Sequence, residues 1–269
     1  IRDAQESRGL GDVYKRQDFS RVQFTPDLMP SDVLGTTVFN MKTNGFDFHQ
    51  GPIFADIVLV DEINRAPAKT QAALFEVMEE RQISIDGTTH RMGDLYTILA
   101  TQNPVEQEGT YKLPEAQLDR FLMKITMDYP SLEEEVNILE RHHTNAALVK
   151  LDDIVPAITK EELLSLRAFM NQVFVDRTLL QYIALIVQQT RTSKAVYLGA
   201  SPRASVAMLQ SSKAYALLQG RDFVTPEDIK FVAPYVLQHR LILTAEAEME
   251  GYSPVKVTQR LIDKVEVPK

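Results

Sequence analysis

From Asp18 onward the apolar positions follow readable periods; before it they do not. Residues 1–17 are charged, hold two glycines, and show neither a helical nor a strand repeat. Val22 to Thr25 predicts a short strand, and Pro26 to Ser31 a loop. Val38 to His49 alternates around Asn44-Gly45, a dipeptide suited to the positive φ angles of a tight hairpin. Asp56 to Val60 reads Asp-Ile-Val-Leu-Val. Its unbroken apolar run suits a strand buried on both faces, as in a parallel sheet. Pro67 predicts the first turn of a helix, on which Ala73, Leu74, Val77 and Met78 recur at helical spacing. Ile83 and Ile85 precede Asp86-Gly87 and predict a second hairpin. Tyr96–Ala100 and Leu122–Met127 read as two further strands.

After Pro130 the pattern becomes helix after helix. Ser131 with Glu134, and Thr159 with Glu162, have the spacing of capping boxes. Ser201-Pro202 and Thr225-Pro226 are cap-plus-proline helix starts. The pattern therefore divides the chain into an unrelated or artefactual segment at 1–17, an α/β domain at 18–130 and an all-helical domain at 131–269. There is no internal repeat and no low-complexity linker.

Composition narrows the function classes. A chain of 269 residues has material for one large domain or two smaller ones. The net charge of −8, with Lys and Arg spread along the chain, gives no electrostatic footprint for nucleic acid. No apolar window reaches the length of a membrane span, and the N-terminus has no signal pattern. Cysteine is absent, which excludes disulfides and thiolate metal sites and fits a cytoplasmic location.

Four segments carry the main candidate chemistry. The strand Ile57–Val60 runs into Asp61 and Glu62, which places two carboxylates at the C-terminal edge of a sheet, where ligands sit in open α/β folds. In a nucleotide triphosphatase the first acid would hold Mg²⁺ through its water shell. The second would polarise the attacking water as general base. The competing reading is a pair of solvated acids at a strand end. The strand Thr97–Ala100 leads to Thr101-Gln102-Asn103-Pro104. Set beside the Asp61 strand, it would bring the amide of Asn103 next to Glu62, where a neutral group can orient water; an Asn-Pro turn starter is the alternative. Leu118-Asp119-Arg120-Phe121 ends a helix that Pro114 starts. Arg120 there could project into a neighbouring subunit's nucleotide site, or be a surface ion pair. In Gly199-Ala200-Ser201-Pro202-Arg203-Ala204, Ser201 is the cap and Arg203 lies in the first turn, against the helix dipole. An anionic ligand would explain that cost, and so would a nearby acid. Arg65 has the same two readings, a neighbouring subunit's nucleotide or a structural ion pair. His142-His143 is no metal site, because adjacent helix residues point apart.

In order, strand-Asp-Glu, strand-Asn, helix-Arg and a helical domain with Ser-Pro-Arg resemble the AAA+ ATPases. The resemblance makes them Walker B, sensor 1, arginine finger and sensor 2. Asp-Glu-Ile-Asn-Arg-Ala-Pro (61–67), Ala-Leu-Phe-Glu-Val-Met-Glu-Glu-Arg (73–81), Ala-Thr-Gln-Asn-Pro (100–104), Leu-Pro-Glu-Ala-Gln-Leu-Asp-Arg-Phe (113–121) and Gly-Ala-Ser-Pro-Arg-Ala (199–204) look like the MoxR family, over a match from about Asp18 almost to the end. The resemblance implies an α/β P-loop NTPase core followed by an all-α lid, hexameric rings and hydrolysis of ATP with Mg²⁺. It implies chaperone-like maturation of protein complexes, with a von Willebrand factor A domain protein as partner. It also assigns the roles: Asp61 to Mg²⁺, Glu62 and Asn103 to the water, Arg120 to a neighbour's nucleotide, Arg203 to phosphates in its own subunit. The hairpins at 38–49 and 82–92 look like the extra hairpins of this branch, facing pore or substrate, or are sheet-edge decoration.

One element departs from the family pattern. The Gly-rich phosphate loop, with its Lys, is expected before Asp18, and Gly9-Leu10-Gly11-Asp12 carries no Lys in register. The core is therefore expected to lack its first strand and Walker A loop, either as a fragment of a longer gene product or as a degenerate relative. The fragment reading is preferred, since the downstream residues stand together. A chain with this sequence is expected to bind ATP weakly or not at all and to be marginally stable. The functions weighed are an ATP-driven remodelling enzyme, a non-hydrolysing ring scaffold or interaction module, and a DNA-linked motor, against which the acidic balance argues.

Overall fold

The structure, a computed structural model, describes residues 19–103, 111–144 and 155–267. The segment 1–17 and Pro104 lie outside the described residues. In chain order the elements are β1 (Phe19–Gln23), α1 (Pro30–Leu34), β2 (Gly35–Asn40), β3 (Gly45–Gln50), β4 (Ile57–Asp61), a short 3₁₀ turn (Ile63–Arg65), α2 (Ala68–Glu80), β5 (Gln82–Ile85), β6 (Thr88–Arg91), β7 (Thr97–Ala100) and α3 (Glu115–Leu118). There follow α4 (Leu132–His143), α5 (Lys160–Met170), α6 (Arg177–Thr192), β8 (Val196–Leu198), α7 (Pro202–Leu218), α8 (Pro226–Leu237), β9 (Ile242–Leu243), α9 (Ala245–Met249) and α10 (Pro254–Lys264). The chain divides into two compact units: Ile1–Leu113 with Tyr129–Leu164, and Pro114–Asp128 with Ser165–Lys269.

The first unit is built on a parallel sheet in the order β1-β4-β7. β4 is central, with Gln23 opposite Asp61 on one side and Ala100 opposite Val60 on the other. The apolar run of β4 is fully buried on one face only. Val58 and Val60 are sealed from solvent, while Ile57 and Leu59, which the pleat sends to the other face, are half-buried. Helix α2 places Leu74, Phe75 and Val77 in this core. Pro67 is its cap rather than its first helical residue, and Arg81, in the left-handed region at φ 49°, ends it. The buried amide of Gln71 donates to the carbonyls of Ile63 and Ala66 at 3.2 and 3.0 Å, which ties α2 to the turn that follows β4.

Both hairpins form, with one difference in detail. Asp86 and Gly87 make the expected two-residue turn, with φ of 50° and 78°. At the first hairpin Asn40 pairs with Gly45, so the loop is Met41–Asn44 and Asn44 is its last residue at φ 51°. The alternation is satisfied by a longer loop, and Asn44 supplies its left-handed exit. The Thr37 hydroxyl donates to the Asp86 carboxylate at 2.5 Å, and the rings of Phe48 and His90 stand 4.5 Å apart, so the two hairpins are tied together.

The predicted strand at Leu122–Met127 is not formed. This segment belongs to the second unit, where Lys124 N donates to Tyr235 O at 2.9 Å and Gln238 Nε2 donates to Lys124 O at 2.5 Å. Its polar backbone is met by the end of a helix, and no ladder is made. The second unit is otherwise helical, except for the short antiparallel pair β8–β9 that the all-helical expectation did not contain. Its core is a single cluster in which Tyr182, Ile186, Met208, Ile229, Leu237 and Ile262 are the largest buried side chains. The predicted caps at Ser131 and Thr159 are both present, and each draws its glutamate carboxyl below the ordinary range through backbone and hydroxyl hydrogen bonds.

Candidate functional site

Asp61 is the last residue of β4, and Glu62 follows it in the left-handed region at φ 54°, ψ 50°. A non-glycine residue in that region is strained, and such strain gathers at functional sites. The turn is fixed by Thr101, just beyond β7. Its hydroxyl accepts the Glu62 N–H at 3.0 Å and donates to Asp61 Oδ1 at 3.2 Å. Its carbonyl accepts from Ile63 N at 3.0 Å, and its own N–H donates to Val60 O at 2.9 Å. The ends of β4 and β7 are thus welded at one residue, 40 positions from Asp61.

Both carboxylates have partners. Arg21 Nε donates to Asp61 Oδ2 at 2.6 Å. Glu62 Oε2 accepts from Gln23 Nε2 at 2.9 Å and pairs with Arg65 Nε at 3.1 Å. Arg65 therefore forms the structural ion pair that was one of its two readings. Both acids remain partly open, with side-chain exposures of 14% for Asp61 and 28% for Glu62. The adjacency of β4 and β7 expected from the sequence holds, and it brings Asn103 to this edge. The backbone carbonyl of Asn103 accepts from Asn64 Nδ2 at 3.3 Å, and Asn64 O accepts from Tyr111 N at 2.6 Å.

The second unit gathers a different set of residues. Gly199 packs against α6 so closely that a Cβ there would lie 2.8 Å from the Thr190 carbonyl. That approach lets Ala200 N donate to Thr190 Oγ1 at 3.0 Å and Ala200 O accept from Arg191 Nε at 2.8 Å. Ser201 is thereby set as the cap of α7, with its hydroxyl accepting from Arg203 N at 3.1 Å. The same hydroxyl donates to Asp119 Oδ2 at 2.8 Å, and Arg203 Nη1 stands 3.7 Å from that oxygen. Asp119 is thus the nearby acid that was one of two explanations for a cation in the first turn. Arg240 completes the group, bonding through Nε to Asp119 Oδ1 at 3.0 Å. Arg120, next to Asp119 in the chain, is exposed.

Sequence reasoning missed Thr101, Gln23, Arg21 and Arg240. Thr101 stands inside the quoted Ala-Thr-Gln-Asn-Pro motif, so the motif was the available signal. Nothing in the local spacing marks Arg240. Among the described residues no group of three or more His, Asp or Glu is arranged to hold a metal ion.

Comparison with known proteins gives this geometry a family. Residues 6–123 match the profile of the ATPase family associated with various cellular activities (AAA), and residues 188–263 match an AAA lid domain. The chain is 47% identical over 251 residues to the uncharacterised protein YeaC of Bacillus subtilis, covering 93% of this chain and 78% of that one. It is 43% identical over 260 residues to Chaperone MoxR1 of Mycobacterium tuberculosis, covering 93% and 68%. The chain belongs to the MoxR family of AAA+ ATPases. A solved structure from Cytophaga hutchinsonii, described as a candidate ATPase, superposes with a TM-score of 0.86 at 39% identity, covering 97% of this chain and 81% of that one. The fold of this MoxR-family chain is accordingly that of an AAA+ P-loop ATPase, a parallel-sheet core with a helical lid. No described helix is long and apolar enough to cross a membrane.

The residues present suit a magnesium nucleotide in part. Asp61 offers hard carboxylate oxygens at the C-terminal sheet edge, the donor type that Mg²⁺ takes. The Arg21 side chain on Oδ2 is 53% exposed, so its ion pair is screened and easily exchanged for a hydrated cation.

Proposed function

We propose that the gene product containing this chain hydrolyses ATP with Mg²⁺ and uses the energy for chaperone-like maturation of protein complexes. The observation that carries this reading is the Thr101 joint. One hydroxyl fixes both the Asp61 carboxylate and the Glu62 backbone at the edge where open α/β sheets bind ligands. Asp61 would hold the metal through its water shell. Magnesium, when bound, neutralises charge developing on the phosphates. Glu62 acts as general base once its carboxylate turns from Gln23 and Arg65 toward the water, and Asn103 orients that water. Arg203 contacts phosphates of its own subunit's nucleotide, and Arg120 reaches a neighbour's. Assembly as a hexameric ring, in the cytoplasm, with a von Willebrand factor A domain partner, follows the family resemblance, and so does an ATPase core at 18–130 with a lid at 131–269.

A mixing experiment tests the reading. Glu62→Gln and Arg120→Ala are each expected to abolish turnover in the complete gene product, with the monomer still folded. Mixed in one ring, they create interfaces that combine an intact Glu62 with an intact Arg120, and part of the turnover returns. No recovery on mixing would remove Arg120 from the role.

A further inference from the structure

We infer that Asp119 is a positioning residue shared by both arginines of the proposed reaction: it holds Arg203 directly and, with Arg240, fixes the backbone that carries Arg120. The inference rests on the ATPase reading above.

Arg240 is the firm part of the arrangement. Its side chain is 2% exposed, and all five of its N–H donors are used. Nε bonds Asp119 Oδ1 at 3.0 Å. Nη2 bonds the carbonyls of Asp119 at 3.0 Å and Phe121 at 2.5 Å. Nη1 bonds Leu122 O at 3.2 Å and the carbonyl of Val236. Three of these acceptors flank Arg120 in the chain, so its backbone is clamped on both sides. A buried guanidinium with every donor satisfied is not easily displaced.

Arg203 is the exchangeable part. Its side chain is 53% exposed and lies 3.7 Å from Asp119 Oδ2, an oxygen that also accepts from Ser201. An exposed pair of this kind changes an equilibrium by at most about fivefold. A nucleotide phosphate offers Arg203 a stronger, charge-assisted partner. When Arg203 moves to the phosphate, Oδ2 keeps Ser201 alone, and the change is felt at the residue preceding Arg120. Nucleotide occupancy at one arginine is thereby linked to the placement of the other.

The test is Asp119→Asn in the complete gene product, which keeps the side chain's size and an acceptor for Arg240 Nε. With the Asp119 carboxylate no longer competing for Arg203, the KM for ATP is expected to fall about two- to fivefold. Loosening Arg120 is expected to lower kcat at least about tenfold. A merely structural defect would not lower KM. In an Arg203→Ala background the KM effect disappears. Both constants unchanged, or a KM shift that survives in Arg203→Ala, would overturn the inference. If Asp119→Asn does not fold, Ser201→Ala carries the test. It leaves Oδ2 to Arg203 alone and is expected to raise KM, again only when Arg203 is present. Absence of turnover in the wild-type protein would defeat the ATPase reading instead. Hydrogen exchange then decides the Asp119 linkage: Asp119→Asn should speed exchange both at residues 119–124 and at the first turn of α7. Acceleration at only one of the two would overturn it.

Discussion

Thr101 accepts the backbone N–H of Glu62 at 3.0 Å and so fixes the one strained residue at the end of β4. The bond lies at an exposed position, where water can replace it, so its worth to stability is below about 1 kcal/mol. Its worth to catalysis is larger, because a base displaced by about 1 Å can lose about a hundredfold in rate. Thr101→Val is therefore expected to melt nearly as the wild type and to lose at least tenfold in kcat, while Thr101→Ser retains both. Steady-state turnover beside a thermal melt checks this, and equal kcat in the valine variant would remove Thr101 from the site.

Arg240 is expected to behave in the opposite way, as a determinant of stability. Replacing it by Met leaves the Asp119 carboxylate without its partner on Oδ1 and takes a donor from each of four carbonyls, of which Phe121 O still meets His239. Breaking one side of a buried ion pair costs about 3–5 kcal/mol. Denaturant unfolding of Arg240→Met should show a loss of that order, and a loss below about 1 kcal/mol would contradict the clamp.

His239 gives the second unit a pH dependence. Burial, helped by the neighbouring Arg240 charge, holds its imidazole down at about 4 from an ordinary 6.5, and Nε2 meets Phe121 O at 3.1 Å. Between those two values the unfolded chain binds a proton that the folded chain refuses. Stability is complete above pH 6.5 and falls as pH drops toward about 4, by up to about 3 kcal/mol. Unfolding curves at pH 7, 5.5 and 4.5 measure the slope, and His239→Gln should flatten it. A slope unchanged by that substitution would assign the dependence to other groups.

Much of this was legible before the structure. Asp61-Glu62 announces itself because an apolar run must be a strand, and acids after it must sit at the sheet's edge. Ser201-Pro202 and the two capping boxes are local, so their spacing alone predicted them. Leu122–Met127 misled because apolar alternation records exposure and not ladder partners. The backbone of Lys124, in its middle, bonds Tyr235 and Gln238, more than a hundred positions away. Thr101 and Arg240 act across 39 and 121 positions respectively, and no short-range pattern encodes such contacts. The Ser-Pro-Arg motif marks Arg203, but its resting partner Asp119 is far from it in the chain and meets it only in the folded second unit.

The 269-residue sequence holds no Gly-rich loop with a phosphate-binding Lys. Backbone N–H groups and that Lys supply most phosphate affinity in P-loop folds. Calorimetric titration of this polypeptide with Mg-ATP is expected to show weak binding or none, and micromolar affinity would contradict the need for such a loop.

The central claim, that the Asp61–Glu62 edge is where ATP is hydrolysed, is tested most directly by Glu62→Gln in the complete gene product. Turnover and nucleotide binding should be measured on the same sample. Loss of at least about a hundredfold in kcat with ATP affinity within a fewfold of wild type is the predicted result. Unchanged turnover in Glu62→Gln would contradict it.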